Sequence, residues 1–398
     1  MDNKTIGNYY KKSAFAVKLL RYAVILVFIV FLISCTLIYR NDITVENIQF
    51  LAKYITLGGG SSRYYDEEFS INAYDDSQIF MLRDNVAIVN NTGVALHELS
   101  GNKLFNYSYS YSTPAFVSDE HNILIYDIDG SELSIFNSFS RVYSQKYPYS
   151  VRCADINDNG FAVITSEKGF RSALIIYNNN YDEIFRWLSE ENYLSALSLS
   201  PNGRNAAVST VKSDNGAYKC TIRVFNTSKE EPEYTSKEFD ELPIYLSYSE
   251  NGKNIYCITD SAIRFYNSDL TEIAVHKFNQ SKICDFYTSE DMLFITESNN
   301  LSGNSVTVTG FNTIGEVIVS INVADEVHDA AIVNNKIFAL GSDCVYRYEF
   351  ADGNKGNQTG YKMLTEQYNS ILCDSDENCY LANNSEVIKV DFTDIETE

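Results

Sequence analysis

The chain carries two contrasting patterns of apolar and polar residues. Tyr22–Tyr39 is a run of eighteen residues without a single charge. From residue 64 onward, short stretches of Ile, Val, Phe and Tyr alternate with polar residues, and clusters of Asn, Asp, Gly and Ser interrupt them every eight to twelve residues. The second pattern is typical of short β-strands joined by tight turns. It predicts that most of the chain is all-β.

The strands fall into a repeat of about 40 residues, which is the period of four-stranded propeller blades. In two copies an apolar strand ends in a Ser-x-Asn-Gly turn, at Ser200–Gly203 and at Ser249–Gly252. Asn-Gly favours the positive φ angles of a tight hairpin. Seven complete units are recognisable, and they begin near Gln78, Thr113, Val151, Leu194, Ile244, Lys282 and His328.

An eighth unit begins at Asn369, but the chain ends after its third strand. The strand-like segment Tyr64–Tyr74 precedes the first complete unit, so it can supply the missing strand. We expect the strand near Phe69 to pair with the strand near Val390, which would close the ring and cover two sheet edges. The sequence thus predicts a β-propeller of eight four-stranded blades, or of seven if two weak units form one blade.

The uncharged run is long enough to cross a membrane, because eighteen helical residues span about 27 Å. Five basic residues precede it, and only Arg40 and Lys53 follow closely. The positive-inside rule then places the N-terminus in the cytoplasm. The predicted order is a leader at 1–21, a transmembrane helix at 22–39, a stalk with a glycine-rich hinge at 40–63, and an extracytoplasmic propeller at 64–398.

A lipoprotein is the alternative to this single-pass plasma membrane protein. Leu32–Cys35 fits the loose pattern of a lipobox, in which Cys35 would be acylated after cleavage. The apolar run continues beyond Cys35, where a lipoprotein normally turns polar, and this favours the uncleaved helix. Both interpretations place the propeller on the outer side of the membrane.

Composition and charge narrow the range of partners and chemistry. With 31 basic and 53 acidic residues, the net charge is −22, which excludes nucleic acid as a partner because its phosphates would repel the chain. The four histidines lie in no recognisable catalytic signature, and His97, on an alternating strand, fits an interior or inter-blade position. We therefore expect no catalytic residues, no cofactor and no nucleic acid partner.

Two local motifs have a structural and a functional interpretation. Asp155–Gly160 matches the opening of a calcium-binding loop, but Ser166 stands at its closing position, so a polar hairpin turn and no metal is the expectation. Cys373 and Cys379 flank another short hairpin, where either a disulfide or two free thiols could exist.

The repeat signatures carry a family resemblance. Ser-Pro-Asn-Gly-Arg at Ser200–Arg204 and the Phe-Asn strand ends resemble those of bacterial propellers related to WD40 and quinoprotein-like repeats. Together with the basic leader and one membrane helix, they resemble an uncharacterised family of single-pass, membrane-anchored propellers of Gram-positive anaerobes. No repeat carries the Trp-Asp dipeptide, and Trp187 alone cannot form a quinone-docking pattern. The resemblance therefore implies the fold rather than an activity.

These observations favour a non-enzymatic binding or scaffold module at the cell envelope, with an envelope protein or glycan as partner. An extracytoplasmic hydrolase or a quinone-linked dehydrogenase is the alternative.

Connections between successive blades share one face of a propeller, and tyrosines and carboxylates recur there. The predicted binding face comprises Tyr74, Asp75, Tyr111, Tyr149, Arg152, Tyr193, His328 and Tyr368.

Overall fold

A computed structural model describes residues 15, 17–22, 24–31, 68–83, 85–119, 121–138, 140–278, 283–289, 291–299, 305–351 and 356–395. The chain divides into two units, residues 1–61 and residues 62–398. Several predicted features lie outside the described residues: most of the leader, residues 32–39 with Cys35, the stalk and hinge at 40–63, and the start of the closing segment at 64–67.

In the first unit, residues 15, 17–22 and 24–31 are helical. Their large apolar side chains are all exposed, from 44% at Ile25 to 68% at Phe15 and Val27. Among the described residues, no helix combines the length and the apolar character needed to cross a membrane. The predicted helix 22–39 is thus described only as far as residue 31.

The second unit is a ring of eight sheets, six of which are each made from one sequence repeat. Its first strand is β1 (Glu68–Ser70), which precedes the first repeat. Blade 1 consists of β2 (Gln78–Leu82), β3 (Asn85–Asn90), β4 (Gly93–Glu98) and β5 (Lys103–Ser108). Blade 2 consists of β6 (Pro114–Ser118), β7 (Asn122–Asp127), β8 (Glu132–Asn137) and β9 (Arg141–Lys146). Blade 3 consists of β10 (Val151–Asn157), β11 (Gly160–Glu167), β12 (Phe170–Asn178) and β13 (Glu183–Ser189).

The next three blades follow the same order. Blade 4 consists of β14 (Tyr193–Leu199), β15 (Asn205–Asp214), β16 (Ala217–Asn226) and β17 (Tyr234–Thr235). Blade 5 consists of β18 (Pro243–Tyr248), β19 (Asn254–Thr259), β20 (Ala262–Asn267) and β21 (Glu272–Lys277). Blade 6 consists of β22 (Ile283–Ser289), β23 (Met292–Ser298), β24 (Val306–Asn312) and β25 (Val317–Val323).

The last two blades share the C-terminal residues. Blade 7 consists of β26 (Asp329–Val333), β27 (Lys336–Leu340), β28 (Cys344–Glu349) and β29 (Asn357–Met363), and β33 (Thr393–Asp394) joins it as a fifth strand. Blade 8 consists of β30 (Ser370–Cys373), β31 (Cys379–Ala382) and β32 (Glu386–Lys389), completed by β1. The eight-bladed prediction is confirmed, and the seven-bladed alternative is wrong.

Burial of the second strand of each blade explains the short apolar runs in the sequence. In β3, the four residues Val86–Val89 are all buried, because alternate side chains face the two neighbouring blades. Val86 and Ile88 pack toward blade 8, whereas Ala87 and Val89 pack toward blade 2. A strand buried on both sides is uniformly apolar, and this is the short apolar run that recurs along the sequence.

The ring is closed by the N-terminal strand, as predicted. β1 forms the outer strand of blade 8 and pairs antiparallel with β32. Phe69 lies opposite Val387 rather than Val390, so the predicted partner strand is right and the register differs by three residues. Phe69 is buried in a cluster with Tyr380 and Ile88, which joins blade 8 to blade 1.

The C-terminal residues form a second clasp that the repeat pattern did not predict. After β32 the chain crosses to the outer edge of blade 7, where β33 places Thr393 opposite Tyr361. Arg347 of β28 donates from Nη2 to Asp394 at 2.6 Å, and its guanidinium lies over the Phe392 ring. The two chain ends therefore cover the outer edges of two adjacent blades.

Each blade has four strands, named a to d from the channel outward, and the chain reverses at each turn. The d-to-a connections and the b-to-c turns therefore share one face, here called the upper face, and the a-to-b turns lie on the lower face. β1 is a d strand that leads into the connection to β2. The chain consequently enters the ring at Glu68 on the lower face.

On the lower face, a-to-b turns of neighbouring blades bond to one another. Asn159 donates from Nδ2 to the Pro201 carbonyl at 2.7 Å, and the Glu250 amide donates to Asp291 at 2.8 Å. Lys336 contacts Glu377 at 2.5 Å. The Asn-Gly turns thus link successive blades. Asp158 and Asn159 form the turn between β10 and β11, as the hairpin interpretation of Asp155–Gly160 predicts.

Candidate functional site

The eight predicted binding residues all lie on the upper face. Each is in a d-to-a connection or among the first two residues of the strand that follows it. This common placement follows from the repeat, because equivalent positions of a propeller share a face. We call this set the upper rim. It comprises Tyr74, Asp75, Tyr111, Tyr149, Arg152, Tyr193, His328 and Tyr368.

Two tyrosines of the upper rim project into solvent. Tyr74, between β1 and β2, is 61% exposed, and Tyr193, the first residue of β14, is 51% exposed. Arg171 donates from Nη1 to the Tyr193 hydroxyl at 2.8 Å, and its guanidinium lies 5.2 Å from the ring centroid. Arg171 therefore orients a ring that still offers apolar surface to a partner.

Two other tyrosines of the upper rim are buried between blades. Tyr111 stacks on Tyr109 with the ring centroids 4.2 Å apart, and burial raises its pKa. Tyr368 donates its hydroxyl hydrogen to Glu386 at 3.2 Å, and burial raises its pKa to about 12. These two side chains stabilise the ring and offer little surface to a partner.

The remaining members of the upper rim are polar or half-buried. Asp75 accepts from Asn384 Nδ2 at 2.6 Å, and exposed Arg152 pairs with Asp129 at 3.1 Å. Exposed His328 lies 3.1 Å from the Ser342 hydroxyl, while Tyr149 is half-buried. The upper rim therefore carries both signs of charge around its exposed aromatic rings.

Two exposed side chains near Tyr193 were missed by sequence reasoning. Tyr218, near the start of β16, is 54% exposed, and Ile244, the second residue of β18, is 51% exposed. Both lie on the upper face, because one follows a b-to-c turn and the other follows a d-to-a connection. The unusually long ten-residue strands β15 and β16 were the available signal, since they extend their hairpin beyond the ring.

The innermost strands hold carboxylates whose pKa is perturbed. Asp329 on β26 accepts from the Ile371 amide of blade 8 at 2.9 Å and from the Ala330 amide at 2.8 Å. Tyr287 donates to Asp285 at 3.3 Å, and its hydroxyl lies 3.5 Å from Asp329. Burial raises the pKa of Asp329 to about 6, and these amide hydrogen bonds oppose the rise.

Asp155 of blade 3 repeats this arrangement. It accepts from the Leu199 amide of blade 4 at 2.7 Å, and burial raises its pKa to about 6. In both cases the carboxylate connects one innermost strand to the backbone of the next. Because the carboxylates already accept backbone hydrogen bonds, an inter-blade structural role explains them better than acid–base chemistry.

Protonation of Asp329 should make the free energy of unfolding depend on pH. Its folded pKa lies above its ordinary value, so the folded protein binds a proton between about pH 6 and pH 4 that the unfolded chain does not. The contribution of this group to stability is therefore present at low pH and lost as pH rises through about 6. Asp329→Asn should remove this dependence, on the order of 2 kcal/mol between pH 7.5 and 4.5.

Chemical denaturation of both proteins at the two pH values measures this difference. Asp343→Asn, at an exposed carboxylate, is the control and should keep the wild-type dependence. An Asp329→Asn protein that also keeps it would show that Asp329 does not titrate in this range.

The structure shows the environments of His97 and of the cysteine pair Cys373 and Cys379, for which the sequence made predictions. His97 is buried beside Phe69 at the junction of blades 8 and 1, as predicted, and burial lowers its pKa. Cys373 and Cys379 lie directly opposite each other on β30 and β31, and both are free thiols. Burial raises the pKa of Cys379 well above its ordinary range, and this keeps the thiol protonated and unreactive.

The fold is that of an eight-bladed β-propeller whose blade connections share one face. Residues 61–392 match the model of the family of unknown function DUF5711, so the chain belongs to that family. No curated protein matches the chain in sequence.

Solved propellers share the architecture at low sequence identity. The computationally designed Ika8 protein matches with a TM-score of 0.59 and 11% identity, covering 81% of this chain and 99% of Ika8. Sqt1 of Saccharomyces cerevisiae gives 0.57 and 10%, covering 81% and 98%. The C-terminal WD40 domain of Sif2 gives 0.55 and 11%, covering 81% and 95%. At these identities the likeness concerns the fold alone.

Proposed function

We propose that this protein is a non-enzymatic binding or scaffold module, held at the outer face of the plasma membrane, that engages an envelope protein or glycan through the upper rim. The observation that carries the proposal is the exposure of Tyr74 and Tyr193 on a face where Tyr111 and Tyr368 are buried. Exposed rigid aromatic rings suit stacking on sugars or anchoring a protein partner.

The path of the chain supports the upper rim as the binding face. The chain enters the ring at Glu68 on the lower face, and the upper rim lies on the opposite face. The lower face, in contrast, uses its a-to-b turns to join neighbouring blades, as Asn159 and Pro201 show.

The membrane anchor in this proposal rests on the uncharged run Tyr22–Tyr39 and the basic residues that precede it. Exposure of every described large apolar side chain between Phe15 and Phe31 supports it, because a row of apolar side chains needs a cover such as lipid. The N-terminus then faces the cytoplasm and the propeller faces the envelope.

A paired substitution tests the binding face. In the full-length protein, Tyr74→Ala with Tyr193→Ala should lower binding to purified envelope glycan, or to an envelope protein crosslinked in cells, at least about tenfold, since exposed aromatic anchors dominate such contacts. Tyr234→Ala is the matched control, because Tyr234 is 40% exposed on the outer strand β17, away from the upper rim.

Thermal unfolding should be the same for the three proteins. Equal binding by the paired variant and the control would overturn the upper rim as the site. Loss of folding in the paired variant would assign these tyrosines to the ring instead.

A further inference from the structure

A mixed group of metal-binding side chains lies on the lower face, where the a-to-b turns of blades 2 and 3 meet. It consists of Asp119, His121 and Asp158, and one ligand atom from each lies within 4.8 Å of the others. His121 Nδ1 is 3.3 Å from Asp158 Oδ1. Two residues come from blade 2 and one from blade 3, so the group bridges two blades.

Asp119 is held in place by its own turn. Its Oδ1 accepts from the backbone amides of His121 and Asn122, both at 2.6 Å. Among the described contacts, Oδ2 accepts only a 3.3 Å hydrogen bond from Asn122 Nδ2. The second oxygen therefore keeps a lone pair that it can offer to a cation.

Two other a-to-b junctions are joined differently. At blades 5 and 6, the Asp291 carboxylate accepts hydrogen bonds from the Glu250 amide and from Asn251 Nδ2. At blades 7 and 8, Lys336 and Asn334 contact Glu377. At blades 2 and 3, two carboxylates meet one imidazole, and no described lysine or arginine pairs with Asp119 or Asp158.

The excess of negative charge extends to a buried neighbour. Burial is the main reason why the pKa of Asp155 rises to about 6, and the negative charge of Asp119 adds to the rise.

The distances suit one small cation. Two ligand atoms about 2.1 Å from a tetrahedral zinc ion lie about 3.4 Å apart, close to the 3.3 Å between His121 and Asp158. Rotation of exposed side chains can bring in the third atom. We propose that Asp119, His121 and Asp158 bind a divalent transition metal ion of the zinc class, which joins blades 2 and 3.

The ligand set defines the class of metal. Imidazole nitrogen suits zinc, cobalt, nickel and iron, whereas magnesium and calcium prefer oxygen ligands throughout. Because the site has three protein ligands and lies at the surface, water completes the coordination. The metal would take the place that Lys336 holds at the junction of blades 7 and 8.

Calorimetric titration of metal-free, full-length protein with zinc tests this site. One zinc ion should bind per chain, and His121→Gln or Asp158→Asn should weaken binding at least about tenfold. Asp343→Asn, at an exposed carboxylate between β27 and β28, is the matched control and should bind zinc as wild type does. Cobalt should give a visible absorption spectrum that His121→Gln abolishes, and a tenfold excess of magnesium should not compete.

Thermal unfolding provides a second measurement of zinc binding. Zinc should raise the melting temperature of wild type and of Asp343→Asn, and it should leave that of His121→Gln unchanged. The proposal fails if zinc does not bind saturably, or if His121→Gln and Asp158→Asn bind it as tightly as wild type.

Discussion

Deletion of residues 64–74 from the full-length chain should lower the free energy of unfolding of the propeller by about 3 to 6 kcal/mol. The deletion removes Phe69 and Ile71, which are 7% and 4% exposed, and burial of each such side chain contributes about 1.5 to 3 kcal/mol. It also leaves β32 without a partner at the outer edge of blade 8. The melting temperature measured by circular dichroism should fall by about 10 °C.

Truncation after Phe392 is the control for this deletion. It removes β33, whose two residues are exposed and pair with only Gly360 and Tyr361. The expected loss is about 1 kcal/mol, because little apolar surface is uncovered. An unchanged melting temperature after deletion of residues 64–74 would show that ring closure by β1 does not stabilise the fold.

Protease added to intact cells should digest the propeller almost completely and leave the N-terminal leader intact. This result follows from the predicted topology, with residues 1–21 inside and residues 40–398 outside. A cysteine introduced by Ser13→Cys should resist a membrane-impermeant thiol reagent, whereas Asn202→Cys on the lower face of the propeller should react. Labelling of both positions, or of neither, would contradict a single crossing with this orientation.

A separate experiment tests the lipoprotein alternative. If Cys35 is acylated, labelled palmitate should be incorporated and Cys35→Ala should abolish it. Under the uncleaved helix, Cys35→Ala should leave both the size of the protein and its membrane fraction unchanged.

The fold was predictable because a propeller repeats its local chemistry. Apolar second strands recur in each unit and Asn-Gly turns mark three of them, so the repeat count fixes the number of blades and the incomplete unit implies its closing strand. β33 was not predictable in this way, because its pairing with Gly360 and Tyr361 belongs to no repeat. Two exposed residues carry too little apolar pattern to indicate a strand.

The candidate sites were predictable only in part. Strand order placed all upper rim residues on one face, but exposed Tyr193 and buried Tyr111 occupy similar positions in the repeat, and only packing separates them. The group of Asp119, His121 and Asp158 gave no signal in the sequence. Its members come from two blades. The turn that holds Asp158 resembled a calcium loop, but Asp155 accepts from the Leu199 amide and Asn157 Oδ1 accepts from the Asn159 amide.

Closure by β1 also sets the order in which the protein can fold. Asp75 and Asn384, which bond across this closure, are 309 residues apart in the chain. Bringing the ends of so long a loop together costs about 5 kcal/mol of chain entropy before any contact repays it. That cost falls once the intervening blades have stacked and carried the two ends toward each other. Blade 8 should therefore be the last to form, after β30, β31 and β32 have been synthesised, and until then β1 remains an unpaired strand.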